Sequence, residues 1–107
     1  ITPDSNANGI LQDVHWAAGL FGYFPTYALG SAYASQFFHY MNKEFDVNKS
    51  IENDKLTPIL DYLTNHIHQY GCLKKADTLV QDMYSEELNS QYYIDYLESK
   101  FSEIYGL

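Results

Sequence analysis

A chain of 107 residues has room for one small domain with a modest core and little more. Its formal net charge of −8, with six Lys and no Arg, excludes a protein that tracks a phosphate backbone and removes the bidentate guanidinium clamp for carboxylates. At 46% apolar it is not expected to be disordered; 11 Tyr and 6 Phe imply much buried or ligand-facing ring surface, and the lone Cys72 excludes an internal disulfide and fits a reducing compartment.

Residues 1–9 are dense in turn formers and read as a loop. No charged start and apolar run marks a secretory leader, and Ile1 in place of Met is read as a missing or processed N-terminus. Residues 10–16 can form a short helix, which Gly19 and Gly22 interrupt. A long helix is expected from Phe24-Pro25, with proline tolerated in the first turn, to about Glu44 or Phe45. Its apolar residues, among them Tyr27, Leu29, Ala32, Tyr33, Phe37, Phe38 and Met41, cover nearly its whole circumference, and such a helix is buried on every side. The uncharged run from Val14 to Phe38 contains Pro25, three glycines, Thr26, Ser31, Ser35 and Gln36. That is too broken for a span needing about 20 mostly apolar residues, so a core helix and no membrane partner are expected.

A second long helix is expected behind Thr57 as cap and Pro58 as first residue, with Gly71 at its C-terminal end. Ile59, Leu63, Ile67 and Tyr70 share its face. A third helix spans about residues 74–84, with Ala76, Leu79, Val80 and Met83 inward. Ser90 can cap a fourth, whose buried stripe is Tyr93, Leu97, Phe101 and Ile104. No segment alternates with period two, so the fold class is all-α, with about four main helices. Those helices are short for the task of covering an inner helix, and Gly30 with its neighbouring alanines admits close packing, so more protein is expected around it.

Most of the side chains suited to chemistry lie in Gly9-Ile10-Leu11-Gln12-Asp13-Val14-His15-Trp16 and in Gly22-Tyr23-Phe24-Pro25-Thr26-Tyr27-Ala28-Leu29-Gly30. The first stretch matches the G-x-x-Q-D-x-H-W motif of the carboxypeptidase Taq family of zinc metallocarboxypeptidases, and the second resembles that family's next block. His66-Ile67-His68-Gln69-Tyr70-Gly71 and the segment from Tyr96 to Tyr105 are similar to its C-terminal helices.

The resemblance implies the C-terminal portion of a larger helical zincin-type peptidase that acts in the cytoplasm on the C-terminal end of peptides. The family's His-Glu-x-x-His helix, its further Glu and its arginine motif are not in these residues. Zinc is therefore expected in the full-length parent and on no residue of this chain, with the rest of the same polypeptide as partner. His15 and one of Tyr23 or Tyr27 are expected to donate hydrogen bonds to the oxyanion of peptide hydrolysis, as N–H and O–H groups suited to charge that develops in the transition state. Asp13 either accepts from the imidazole of His15 and fixes its tautomer, or caps the helix that follows. Gln12 and Trp16 are expected to pack around or support those groups.

The remaining candidates read as structural. His66 and His68 lack the i, i+4 spacing of paired helix ligands. His39 is a core or surface imidazole, and Cys72 has no partner that would make it a nucleophile. The alternative reading, from another class, is a non-catalytic helical module that forms a homodimer through an exposed apolar face.

Overall fold

Two aspartates and two prolines set most of the helix starts. Helix α1 (Val14–Ala17) begins behind Asp13, whose carboxylate accepts the backbone N–H groups of His15 and Trp16. Helices α2 (Pro25–Glu44) and α4 (Thr57–His66) carry proline in the first turn, where a backbone N–H has no partner to lose. Helix α3 (Val47–Glu52) follows Asp46, which accepts from the Lys49 N–H at 2.9 Å. Helices α5 (Ala76–Tyr84) and α6 (Gln91–Tyr105) both end at a residue in the left-handed region, Ser85 and Gly106. The computed structural model describes residues 2–107; they form these six helices, 3-10 turns at Ile10–Gln12 and His68–Tyr70, and no strand.

The all-α expectation holds, and its four main helices are α2, α4, α5 and α6. Local details differ. Helix α3 escaped the periodicity argument because six residues are too few to display a period. Thr57 is the first helical residue rather than the cap, and Gly71 closes the second 3-10 turn, since α4 stops at His66. Ser90 stands at the N-cap of α6 without capping it; the Asn89 side chain accepts the Gln91 N–H instead, at 2.9 Å.

The C-terminal half of α2 packs along α6, and α3 bridges α2 to α4. The apolar centre is Met41, Val47 and Tyr62, with Phe45, Ile59, Leu63 and Met83 against it. Tyr40 stacks on Tyr84 at 3.7 Å between centroids, and the Tyr84 hydroxyl meets that of Tyr62 at 2.7 Å. Burial pushes both of those phenols above their ordinary range.

Beside this cluster a polar clasp ties α2 to the chain between α5 and α6. Gln36 is fully buried; its amide donates to the Glu87 carbonyl at 3.1 Å and accepts from the Asn89 N–H at 3.0 Å. The Glu86 carboxylate accepts from the Tyr40 hydroxyl (2.7 Å), the Tyr92 hydroxyl (3.0 Å) and the Asn89 amide (3.1 Å). The Tyr40 hydroxyl, more than any other donor, holds the Glu86 carboxyl below its ordinary value of 4.5, and the carboxylate in turn raises Tyr40. A carboxyl depressed in the folded state stabilises the fold above its unfolded value and loses that contribution as pH falls through the folded one. The urea midpoint is therefore expected to drop from about pH 5 to about pH 3, and to drop less in Glu86→Gln. Equal acid sensitivity of the two proteins would remove Glu86 from the clasp's energetics.

The expected all-round burial of α2 is not met within this chain. Only Ala32, Gln36 and Met41 are buried, while Phe24, Tyr27 and Leu29 are each more than half exposed. A Cβ added at Gly30 would meet nothing within 4 Å. The stripe on α6 is likewise uncovered at Phe101 and Ile104. The reason is geometric: the covering helices leave residues 25–30, the start of α2, exposed. The radius of gyration is 17.8 Å, where a compact domain of this length has about 13 Å. The accessible surface is 8223 Å², against about 6,100 Å² for a compact protein of this mass. Among the described residues no helix is long and apolar enough to cross a membrane.

Candidate functional site

A tight reversal between α1 and α2 assembles the site. The Gly19 N–H returns to the Trp16 carbonyl and the Leu20 N–H to the His15 carbonyl, at 3.0 and 2.8 Å. Gly19 and Gly22 hold φ of +74° and +77°, in the left-handed region that residues with a Cβ resist. The chain thereby doubles back and sets the start of α2 over the His15 ring.

Three side chains then join in line. Asp13 Oδ1 lies 2.8 Å from His15 Nδ1, and His15 Nε2 lies 2.9 Å from the Tyr27 hydroxyl. The same carboxylate caps α1, with Oδ1 accepting the His15 N–H and Oδ2 the Trp16 N–H, each at 3.1 Å. Asp13 thus performs both of its alternative tasks at once. Partial desolvation pushes its carboxyl up, but the bonds from the His15 ring and the two backbone N–H groups outweigh that and leave it below the usual carboxylate range. An ionised carboxylate only accepts, so the Nδ1 of His15 carries the hydrogen.

Aromatic rings enclose the imidazole. Tyr23 stacks on it at 5.1 Å and 19°, and Phe24 meets it edge-on at 4.9 Å. Both the Asp13 and His15 side chains are only 17% exposed, in a segment whose other side chains are mostly open to solvent. From Val14 to Asn42 the sequence has no Asp, Glu, Lys or Arg, so no residue of α1, the reversal or most of α2 brings a second fixed charge beside Asp13.

The sequence-predicted residues divide accordingly. Asp13, His15, Tyr23 and Tyr27 come together. The Tyr23 hydroxyl has no hydrogen-bond partner among the described residues, and the residue is 43% exposed. Gln12 turns away, its amide donating to the Ala7 carbonyl at 2.6 Å and so tethering the preceding loop. The Trp16 ring packs on Phe21 at 5.4 Å, and only its backbone serves the site. A groove of about 1020 Å³ between α2 and α6 is lined by other residues, including Phe38, Tyr92 and Tyr96.

Among the described residues no three His, Cys, Asp or Glu side chains converge as a metal ion requires. Both nitrogens of His15 are engaged, His39 lies against Tyr92 and His66 against Tyr62. These residues do not fit a zinc ion. Sequence reasoning also passed over the Gln36–Glu86 clasp, whose one visible signal was an amide in the middle of an apolar helix.

Over residues 1–101 the chain matches the carboxypeptidase Taq (M32) metallopeptidase family, and it belongs to that family. It is 46% identical over 108 aligned positions to carboxypeptidase 1 of Bacillus subtilis, and 37% identical over 107 to thermostable carboxypeptidase 1 of Thermus thermophilus. Those alignments take in 100% and 99% of this chain but 22% and 21% of the relatives. The crystal structure of BsuCP matches its fold with a TM-score of 0.87 at 46% identity, covering 96% of this chain and 21% of that one. The structure of CHT matches with a TM-score of 0.82 at 40% identity, covering 94% and 21%. The chain therefore spans about a fifth of the length of the curated relatives it matches.

Proposed function

We propose that residues 1–107 form the C-terminal helical part of a zinc-dependent carboxypeptidase that hydrolyses the last peptide bond of a peptide. In this reading the Asp13–His15–Tyr27 chain, with Tyr23 beside it, lines one wall of the active-site cleft. The observation that carries the proposal is that chain of hydrogen bonds, set within a motif of a metallopeptidase family.

Attack on a peptide carbonyl places negative charge on its oxygen, and a preorganised O–H donor stabilises that charge more than it stabilises the ground state. Tyr27 and Tyr23 are the groups that would touch the oxygen. His15 acts through Tyr27, because both of its ring nitrogens are already bonded. Zinc would be held by residues of the remaining polypeptide. The bare face of α2 and roughly 2,000 Å² of surplus surface support such a covering partner, since that area exceeds the roughly 800 Å² that each partner gives to a standard stable interface. The single Cys72 supports a reducing, cytoplasmic setting.

An assay for released C-terminal amino acids tests the proposal. The isolated chain, supplied with zinc and a peptide, is expected to release none. Chelator-sensitive release by these 107 residues alone would overturn the assignment of the metal site to other residues.

A further inference from the structure

The count of hydrogens in the Asp13–His15–Tyr27 chain decides which way the Tyr27 hydroxyl points. Because the Asp13 carboxylate only accepts, Nδ1 keeps its hydrogen in every state of the ring. In the neutral ring Nε2 is a lone pair, and at 2.9 Å it takes the single hydrogen of Tyr27. The phenol then presents only lone pairs outward, an acceptor where an oxyanion needs a donor. A second proton, taken from solvent, settles on Nε2 and reverses the bond. Nε2–H now donates to the phenolic oxygen, and the Tyr27 hydrogen swings about the C–O bond to the opposite side. No covalent bond to carbon changes, and the proton returns to solvent when the ring is neutral again.

We propose that His15 is a proton-controlled director of Tyr27: Tyr27 donates to an anionic ligand oxygen only while His15 is an imidazolium. Asp13 is the positioning residue that keeps Nδ1 protonated and supports the cation. The groups facing the ring are Asp13 from the turn before α1, Tyr23 and Phe24 from the segment before α2, and Tyr27 from α2 itself. Asp13 is the one carboxylate among them, and no Lys or Glu faces the ring. The depressed carboxyl of Asp13 keeps that support in place through the neutral range. The proposal relies on the peptidase reading only for the identity of the ligand oxygen.

Two measurements test it. In this chain labelled with 15N-histidine, two-bond nitrogen–proton correlation is expected to show neutral His15 as the Nδ1–H tautomer. A neutral Nε2–H tautomer would overturn the switch without any variant being made. In the assembled peptidase, kcat is expected to fall about tenfold per pH unit as His15 gives up its second proton. Tyr27→Phe should abolish that limb, whereas Tyr23→Phe should retain it; a limb unchanged in Tyr27→Phe overturns the proposal. Failure of the peptidase reading shows separately, as amino-acid release by the isolated chain.

Discussion

Tyr27→Phe in the assembled peptidase, assayed on the acid side of the limb assigned to His15, is expected to lower kcat about a hundredfold and to leave KM within about twofold. The substitution removes one oxygen and keeps the ring, so the contacts of residue 27 with Tyr23 and Phe24 persist. In the proposed reading what is lost is a donor aimed at charge that exists only in the transition state, a loss worth about 3 kcal/mol. The His15 Nε2 loses its partner, but the ring retains the Asp13 bond and its stacking, so the turn keeps its shape. Steady-state kinetics on a peptide substrate would decide the matter. An unchanged kcat removes Tyr27 from the chemistry, and a rise in KM alone makes it a group that binds substrate and transition state equally.

Gln36→Leu is expected to destabilise the fold by about 3 kcal/mol. Leucine has nearly the same size, so the effect isolates the hydrogen bonds from the packing. The fully buried amide serves two backbone groups, the Glu87 carbonyl and the Asn89 N–H, and both would lose their partner inside the protein. A buried polar group left unpaired costs about 1–3 kcal/mol, more than the net gain from forming the bond. With a slope of about 1.5 kcal/mol per molar, the urea midpoint should fall by roughly 2 M. A fall below about 0.5 M would mean that water reaches those groups and the clasp is not dry.

Much of this fold could be read from single residues. Pro25 and Pro58 announced two helix starts, and the helical spacing around Leu79 and Val80 placed the most buried side chains of α5 correctly. The helix over residues 47–52 was invisible to periodicity, though Asp46 marked its start. The site was legible as a set of residue types but not as a connected chain. Asp13 and His15 are neighbours in sequence, so their pairing could at least be posed as an alternative. Tyr27 lies twelve positions beyond His15, and its arrival at Nε2 depends on the left-handed turns at Gly19 and Gly22. The clasp was further out of reach: Gln36 meets residues fifty positions away, and no local pattern encodes such a pairing. The apolar circumference of α2 was read correctly as composition, yet this chain has too little structure to cover it.

Trp16 stands half exposed against Phe21, on the same turn as Asp13 and His15. It is also the only tryptophan in the molecule. Its fluorescence therefore comes from one place, the turn that carries Asp13 and His15, with no second indole to dilute it. Any surface that settles over this turn will strip water from the indole and shift its emission to shorter wavelength, whereas loosening near Gln36 will pass unseen. The chain carries an optical gauge on the turn that, in the proposed reading, the remaining polypeptide would cover.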